Sequence, residues 1–214
     1  MTAASRTDAG VHARRQVVSF RTKSTLPIEA FVKGLNYYLP ADIAVKGASR
    51  VAASFNVRRD AVSREYQYYL LNSPTRSPLQ RGFVHLVSGI LDIEAMNRAC
   101  QAVIGRHDLA SFITGDKTGI KSTLRTIYQA EFTKDGDLVT FDISADSFLP
   151  HQVRNMVGAL IRVGRGKMSV ADFKDMVQAK TPGLAAPTAP AGGLCLMRVN
   201  YAGPFQGETW GDIS

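Results

Sequence analysis

The sequence predicts an α+β fold with a mainly antiparallel sheet. Apolar residues alternate at period two in some segments and recur at helical spacing in others, and two adjacent strand-like segments flank a tight Asp-Gly turn. Strands and helices do not alternate steadily, as a doubly wound fold would require. The chain has 214 residues, 45% of them hydrophobic, so it is long enough for one large core or two small ones.

The first predicted elements precede a weak change of composition near Asp60. Residues 15–20 alternate well enough for a strand, and residues 27–39 have their apolar side chains on one helical face. Pro40 ends this helix. A Tyr-rich strand over residues 64–71 begins the next part of the chain.

The second group of elements is centred on a hairpin. Residues 123–133 and 138–144 alternate as strands on either side of Asp135 and Gly136, which accept the backbone of a tight turn. The other predicted elements are a helix from the N-cap Asp92 to Gly105, a surface loop over 111–122, a helix over 149–163 that Gly164 ends, a helix capped by Ser169, a loop over 181–193 and a strand over 194–199.

The charge balance points to a polyanionic partner. Lys and Arg number 26 against 18 Asp and Glu, which gives a formal net charge of +8 and a sequence pI near 9.7. A basic surface binds nucleic acid because phosphate neutralisation releases condensed counterions. Charge alone leaves RNA, DNA and anionic lipid as alternatives. No apolar stretch approaches a membrane-spanning length, and the two cysteines fit a reducing cytoplasm rather than a disulfide framework.

The segment 5–13, Ser-Arg-Thr-Asp-Ala-Gly-Val-His-Ala, carries the strongest functional signal. Asp8 ahead of Gly10 forms a tight polar turn, and Arg6 lies beside the carboxylate. Turn chemistry alone explains an Asp at this position, so an Asx-turn is the alternative to a catalytic carboxylate.

Four segments of the chain together resemble one enzyme family. They are the segment from Arg6 to Ala13, Arg-Glu-Tyr-Gln-Tyr at 64–68, Phe-Leu-Pro-His-Gln-Val-Arg-Asn-Met-Val-Gly at 148–158 and Ala-Pro-Ala-Gly-Gly-Leu at 189–194. In this order they are similar to the tRNA pseudouridine synthase A family, and the resemblance covers nearly the whole chain. In that family the Asp of the first segment is the nucleophile.

The resemblance implies conversion of uridine into pseudouridine in tRNA, with Asp8 as the nucleophile. The reaction breaks an N-glycosidic bond, turns the base and rejoins it through carbon, without net redox change or hydrolysis. A carboxylate can attack the ribose or the base, or remove a sugar proton, and the sequence does not choose among these routes. The resemblance implies no metal and no organic cofactor.

Two further residues match the active site of the family. Arg154 corresponds to the Arg that pairs with the catalytic carboxylate, and its spacing places it at the edge of an apolar helix face. Tyr66 corresponds to the Tyr that stacks on the target uracil. Without the resemblance, Arg154 would be interpreted as a surface Arg and Tyr66 as a core aromatic residue.

Arg6 and His12 flank Asp8 in the same motif. Arg6 resembles the residue that fills the gap when the uridine leaves the base stack, because a planar cation both stacks and binds phosphate. A surface phosphate contact is the alternative for Arg6. His12 is interpreted as structural and is left out of the catalytic set.

The resemblance also implies a cytoplasmic homodimer. Its joined basic surface would hold tRNA by shape and reach uridines 38, 39 and 40 of the anticodon stem-loop. The candidates for phosphate contacts are Arg14, Arg15, Arg58, Arg59, Lys121, Arg125, Arg162, Arg165 and Lys167.

One departure from the family concerns the segment before the motif. Family members normally place about fifty residues, a strand-helix unit, ahead of the Arg-Thr-Asp motif, whereas seven residues precede Asp8. The resemblance therefore implies two ferredoxin-like halves that share a sheet, the first of them incomplete. Residues 1–60 would carry the nucleophile, and residues 61–214 would carry Tyr66 and Arg154. We expect the Asp8 segment to lose sheet neighbours, expose an edge and position the carboxylate poorly.

Three alternative functions remain open at this point. A truncated scaffold would bind tRNA without chemistry and with a steep salt dependence. A pseudouridine synthase of another branch would act on a different RNA, although the intact signature around Asp8 argues against it. A DNA-binding module would need a recognition helix or a zinc signature, which the sequence does not contain.

Overall fold

The computed structural model describes residues 1–115 and 119–203. The strands in these ranges are β1 (Thr2–Ala3), β2 (His12–Ala13), β3 (Val18–Ser19), β4 (Ala61–Leu71), β5 (His85–Leu86), β6 (Gly105–Asp108), β7 (Leu124–Asp135), β8 (Leu138–Ala145) and β9 (Leu194–Tyr201). The helices are α1 (Ile28–Tyr38), α2 (Ile93–Cys100), α3 (Gln152–Gly164) and α4 (Val170–Ala179). None of these helices has the length and apolar character needed to cross a membrane.

One mixed sheet of seven strands organises the described part of the chain. Its order is β2-β9-β4-β8-β7-β6, and β5 pairs with the end of β4. The pairs β2 with β9 and β4 with β5 are parallel, and the other four pairs are antiparallel. The predicted α+β class with a mainly antiparallel sheet is confirmed.

The core lies between this sheet and the helices α2, α3 and α4. Burial alternates along β4, so Tyr66 and Tyr68 face the core while Gln67 faces the other side. Phe141 of β8 and Met156 of α3 are fully buried in the same apolar cluster. Helix α3 therefore has one face fixed to the centre of the sheet.

Local signals predicted the caps and the hairpin correctly. The Asp92 carboxylate accepts a hydrogen bond from Ala95 N at 2.8 Å, and Ser169 forms a capping box with Asp172. Gly136, with φ of 55°, closes the turn between β7 and β8.

Two helices and one strand are shorter than the sequence predicted. Helix α2 ends at Cys100 instead of Gly105, because residues 101–103 form a turn. Helix α3 begins three residues late, since His151 before it has a left-handed backbone. The strand predicted over 15–20 is reduced to β3, and the side chain of Gln16 bonds backbone groups that a strand would use.

Residues 1–60 bury much less of their surface than the rest. In this range Ala4 and Val57 are buried. Helix α1 has the predicted apolar face, with Phe31 and Val32 half-buried, yet none of its residues is buried. Strand β1 pairs with β3 outside the main sheet, and β2 is an edge strand in the described residues. The expected exposed edge at the Asp8 segment is therefore present.

Candidate active site

Asp8 lies in a loop between β1 and β2 that polar contacts hold closed. Gln16 Nε2 donates to Ser5 O at 2.9 Å across the base of the loop. Gly10, with φ of 82°, closes a turn in which Val11 N donates to Asp8 O at 3.0 Å. The parallel pairing of β2 with β9 then attaches the loop to the main sheet.

Arg154 binds the Asp8 carboxylate, although 146 positions separate the two residues in the chain. Arg154 Nη1 donates to Asp8 Oδ2 at 2.7 Å, with side-chain exposures of 16% for Arg154 and 27% for Asp8. A charge-assisted bond in such a partly enclosed place stabilises an ionised carboxylate more than a pair on open surface does. The two residues predicted as nucleophile and charge partner therefore lie together, despite the expected poor positioning of Asp8.

The loop before β9 holds the Arg154 guanidinium in place. Arg154 Nε donates to Ala189 O at 2.8 Å, and Ala189 N donates back to Arg154 O at 3.1 Å. The loop comes this close because α3 has a glycine at Gly158, where a Cβ would overlap Pro187 O. The C-terminal part of the chain thus fixes the direction of the guanidinium independently of Asp8.

His151 makes a third contact, for which the sequence predicted no role. Its Nδ1 lies 3.1 Å from Asp8 Oδ2 and 3.4 Å from Arg154 Nη1, and 42% of its side chain is exposed. No described residue donates a hydrogen bond to Asp8 Oδ1. The signal that could have found His151 is its spacing, because a residue three positions before Arg154 shares its side of a helix start.

Tyr66 lies behind the Asp8 loop. Its hydroxyl is 2.7 Å from Ser5 Oγ, and its ring packs edge-to-face on Phe148 with centroids 5.3 Å apart. Tyr66 as a whole residue is 6% exposed. Burial raises the pKa of the Tyr66 phenol and the nearby Asp8 charge adds to this, while the hydrogen bond with Ser5 opposes it. Ser5 is a second contact residue for which the sequence analysis predicted no role.

Arg6 and His12 have different surroundings. Arg6 is exposed and makes no hydrogen bond or ion pair with another described residue. His12 Nε2 lies 2.8 Å from Gly82 O, and its ring stacks on Phe83 at a centroid distance of 4.5 Å. These contacts agree with a structural role for His12, whereas Arg6 is free to meet a ligand.

Several of the nine basic candidates bond to backbone carbonyls of neighbouring loops. Arg162 donates to Ala186 O and Arg165 to Ser88 O, each at 3.2 Å. Burial lowers the pKa of Arg125, which is half-buried. The candidates that the structure leaves exposed are Arg14, Arg58, Arg59, Lys121, Arg165 and Lys167.

A groove of about 2800 Å³ between β9 and the N-terminal segment, lined by Phe31 and Phe55 among others, does not contain Asp8, Tyr66 or Arg154. We place the candidate site at Asp8 because the convergent charged groups lie there. In the part of the chain that the structure describes, no cluster of three His, Cys, Asp or Glu could hold a metal ion.

Comparison with known proteins shows the family to which this chain is similar. Residues 99–202 match the family model described as tRNA pseudouridine synthase. The tRNA pseudouridine synthase A of Citrifermentans bemidjiense is 43% identical over 200 residues, which cover 92% of this chain and 78% of the relative. Those of Neisseria gonorrhoeae and Chromobacterium violaceum are each 42% identical, over 207 and 203 residues, and each alignment covers 95% of this chain and 77% of the relative. Because each alignment covers more than nine-tenths of the chain, the similarity extends to both sides of residue 60.

Proposed function

Since this chain belongs to the tRNA pseudouridine synthase A family, we propose that it isomerises uridine to pseudouridine in tRNA with Asp8 as the nucleophile. The observation that carries this assignment is the bond between Arg154 Nη1 and Asp8 Oδ2, which leaves Oδ1 without a described donor. A nucleophile needs such a free oxygen directed toward the substrate.

In this reaction Asp8 acts first as a nucleophile and later as a leaving group. In the reaction, uracil leaves the ribose through N1 and returns through C5, the hydrogen of C5 passes to water, and N1 takes up a proton. Arg154 stabilises the carboxylate charge before attack and again when the bond between Asp8 and the substrate breaks. Its fixed position against Ala189 means that little reorganisation is needed at either step.

We assign Tyr66 to the uracil and Arg6 to the space that the flipped nucleotide leaves. Tyr66 would stack on the base and offer its hydroxyl for proton transfer. Tyr66 is 6% exposed and its hydroxyl contacts Ser5 of the Asp8 loop, so stacking would require this loop to move away from the ring. Arg6 is exposed next to the nucleophile, where a planar cation would stack between neighbouring bases and bind phosphate.

For the substrate and the assembly we propose the finer family pattern. Exposed cations such as Arg14, Arg58 and Lys121 would contact phosphates of the anticodon arm, placing uridines 38, 39 or 40 at Asp8. Two subunits would join their basic surfaces in the cytoplasm. Two ferredoxin-like halves would share the sheet, with residues 1–60 in the first half and 61–214 in the second.

The assignment is tested with tRNA tritiated at uridine C5, by counting the tritium released to water. We expect release by the wild-type protein and a decrease of at least about a thousandfold in Asp8→Asn and Asp8→Ala. Binding of tRNA, measured by filter retention, should stay within about threefold in Asp8→Asn because the shape of the site is kept. A tRNA with cytidine at 38, 39 and 40 should release no tritium.

Each other outcome points to a different function. Release that persists in Asp8→Asn would remove Asp8 from the chemistry. Binding without release by the wild-type protein would favour a tRNA-binding protein, whose affinity falls steeply with salt. Release from the cytidine-substituted tRNA would favour a pseudouridine synthase of another RNA specificity.

A further inference from the structure

Asn155 is a buried polar residue of α3, next to Arg154 in the chain, and the proposed chemistry does not use it. It is 3% exposed. Its Nδ2 donates to Phe112 O at 2.8 Å and to Thr114 Oγ1 at 3.1 Å. Because a carbonyl can only accept, the amide nitrogen must face Phe112, and Oδ1 accepts a bond from Thr188 Oγ1 at 2.5 Å. The side chain of Asn155 therefore joins α3 to two separate loops.

The loop that contains Thr188 is also the one that holds Arg154. Arg154 Nε donates to Ala189 O at 2.8 Å, and Ala189 follows Thr188 directly. On the other side of Ala189, Tyr68 Oη donates to Pro190 O at 2.7 Å. Hydrogen bonds from the core thus anchor both neighbours of Ala189, and the ring of Pro190 restricts the backbone further. The Ala189 carbonyl, which lies between these anchors, is held in one direction.

We propose that the bond between Asn155 and Thr188 sets the direction of the Arg154 guanidinium, so that both are positioning residues. The bond acts through the Ala189 carbonyl, which accepts from Arg154 Nε. The Arg154 side chain is long, so its charge alone does not place Nη1 at Asp8 Oδ2. A fixed acceptor at Nε does so, because the guanidinium is planar and its donors keep constant angles to one another. This role rests on the proposed function of Asp8 as the nucleophile.

The burial of the Asn155 amide favours an ordering role over simple packing. An apolar side chain at this position would avoid the cost of burying polar atoms, each of which needs a partner. The partners of Asn155 lie in loops, and Thr188 itself is half-buried. A residue that only packed α3 against the sheet would not need these bonds, whereas a residue that orders the loop around Ala189 does.

Two substitutions of Thr188 separate its hydroxyl from its shape. Thr188→Val keeps the branched shape and removes the donor to Asn155 Oδ1, while Thr188→Ser keeps the hydroxyl and removes the methyl group. Thr181→Val is the matched control. Thr181 lies in the same loop between α4 and β9, but its hydroxyl donates to Ala179 O at 3.0 Å, at the end of α4.

The direct readout is the Arg154 Nε–H signal in a proton–nitrogen NMR correlation spectrum, identified by its absence from Arg154→Lys. We expect Thr188→Val to speed the exchange of this proton with water by about tenfold, because the bond to Ala189 O opens more often. The rate of tritium release in a single turnover, with enzyme in excess at saturating tRNA, should fall about tenfold. The Kd for tRNA should stay within about twofold, and Thr188→Ser and Thr181→Val should keep the rate and the exchange within about threefold of the wild type.

Tyr68→Phe gives an independent test on the other side of Ala189. It removes the donor to Pro190 O and leaves Thr188 in place, so it also serves if Thr188→Val does not fold. We expect the Arg154 Nε–H to exchange about threefold faster, because one of the two anchors remains. Exchange at the wild-type rate in Tyr68→Phe and in Thr188→Val, or in Tyr68→Phe alone where Thr188→Val is unfolded, would overturn the proposal.

Three further outcomes would also overturn the proposal. A wild-type single-turnover rate in Thr188→Val would show that the bond to Asn155 is not needed for the reaction. Equal losses in Thr188→Val and Thr188→Ser would assign the effect to the methyl group rather than to the hydroxyl. A loss confined to the Kd for tRNA would make Thr188 a tRNA contact.

The Asp8→Asn protein separates failure of this inference from failure of the proposed function. If Asp8→Asn is inactive and Thr188→Val keeps the wild-type rate, Asp8 is the nucleophile and only the positioning role fails. If Asp8→Asn itself releases tritium, the function assigned to Asp8 fails. The positioning role then fails with it, even where the Arg154 proton exchanges faster in Thr188→Val.

Discussion

The two sides of the candidate site belong to regions that differ in how much of their surface is buried, one well packed and the other weakly packed. Arg154 lies on α3, where 11 of 13 residues are buried against the sheet and the other helices. Asp8 lies in residues 1–60, where Ala4 and Val57 are buried. The charge partner is therefore part of a core, while the carboxylate is held mainly by hydrogen bonds and the pairing of β2 with β9.

This difference indicates that the well-packed region sets the geometry of the site. Arg154 is fixed by Ala189 and by the close approach of α3 to the loop at Gly158, independently of Asp8. The Asp8 loop has few buried residues, so its position is set by the hydrogen bond that the fixed Arg154 guanidinium donates. Substitutions in the two regions should therefore have different effects. Those in residues 61–203 should destabilise the whole fold, whereas those in residues 1–60 should disturb only local order.

The largest difference between the two regions is expected in the free energy of unfolding when a phenylalanine of each is replaced by alanine. Phe141 is fully buried and stacks on Phe132, whereas Phe31 on α1 is half-buried. We expect Phe141→Ala to lower the free energy of unfolding by about 3–5 kcal/mol and Phe31→Ala by less than about 1.5 kcal/mol. Urea denaturation followed by circular dichroism measures both. Equal losses would show that the N-terminal segment is packed as tightly as the core.

The next effect concerns the fixed guanidinium. Arg154→Lys keeps the positive charge but cannot bond Ala189 O and Asp8 Oδ2 together, since an ammonium lacks the planar fork. We expect the single-turnover rate to fall about a hundredfold with an unchanged melting temperature. Arg98→Lys on α2, at an exposed pair with Glu94, is the matched control and should leave the rate unchanged. A full rate in Arg154→Lys would mean that charge alone is sufficient.

The sequence predicted those features that depend on local chemistry. The caps at Asp92 and Ser169 and the turn at Gly136 each depend on residues within four positions of one another, so the local sequence is sufficient to predict them. Helix α1 was also predicted with the correct apolar face. The pattern could not tell that this face is only half-buried, because burial depends on what packs against it.

The site itself depended on contacts between distant positions. Periodicity gives no pairing partner for β2, and the contact of Asp8 with Arg154 requires the parallel register of His12 with Cys195. The family resemblance suggested that pair, since its motifs contain both residues. His151 was missed because periodicity predicted a helix through this position and does not mark the left-handed residue that precedes α3, so its three-residue spacing from Arg154 was the signal that remained.

A smaller effect should appear in the loop that carries Asp8. Gln16 bonds Ser5 O through Nε2 and faces Ser5 N through Oε1, so Gln16→Ala removes the clamp at the base of the loop. We expect amide exchange in residues 4–17 to become about tenfold faster, with little change in the global free energy of unfolding. Gln178→Ala, at an exposed position of α4, should leave this exchange unchanged. A fall in global stability instead would show that the loop unfolds together with the core.

The smallest effect tests a bond that joins the two regions. The Tyr201 hydroxyl of β9 donates to Val57 O at 2.7 Å, and burial raises the pKa of this phenol to about 12, although Arg64 opposes the shift. An unfolded tyrosine titrates near pH 10. Folding therefore favours the protonated hydroxyl, and the stability from this group is complete below about pH 10 and is lost as the pH rises through about 12.

Tyr201→Phe keeps the ring but has no proton to lose. We expect it to be less stable than the wild type by about 1 kcal/mol at pH 8, because Val57 O loses its donor. Above about pH 10 ionisation of Tyr201 stabilises the unfolded wild-type chain. The difference in free energy of unfolding between the wild type and Tyr201→Phe should therefore narrow by about 1 kcal/mol per pH unit. Urea midpoints at pH 8, 10 and 11 measure the gap, with Tyr128→Phe at an exposed position as the control. A constant gap across this range would show that Tyr201 ionises equally in both states and that its hydroxyl does not hold residues 1–60 to the sheet.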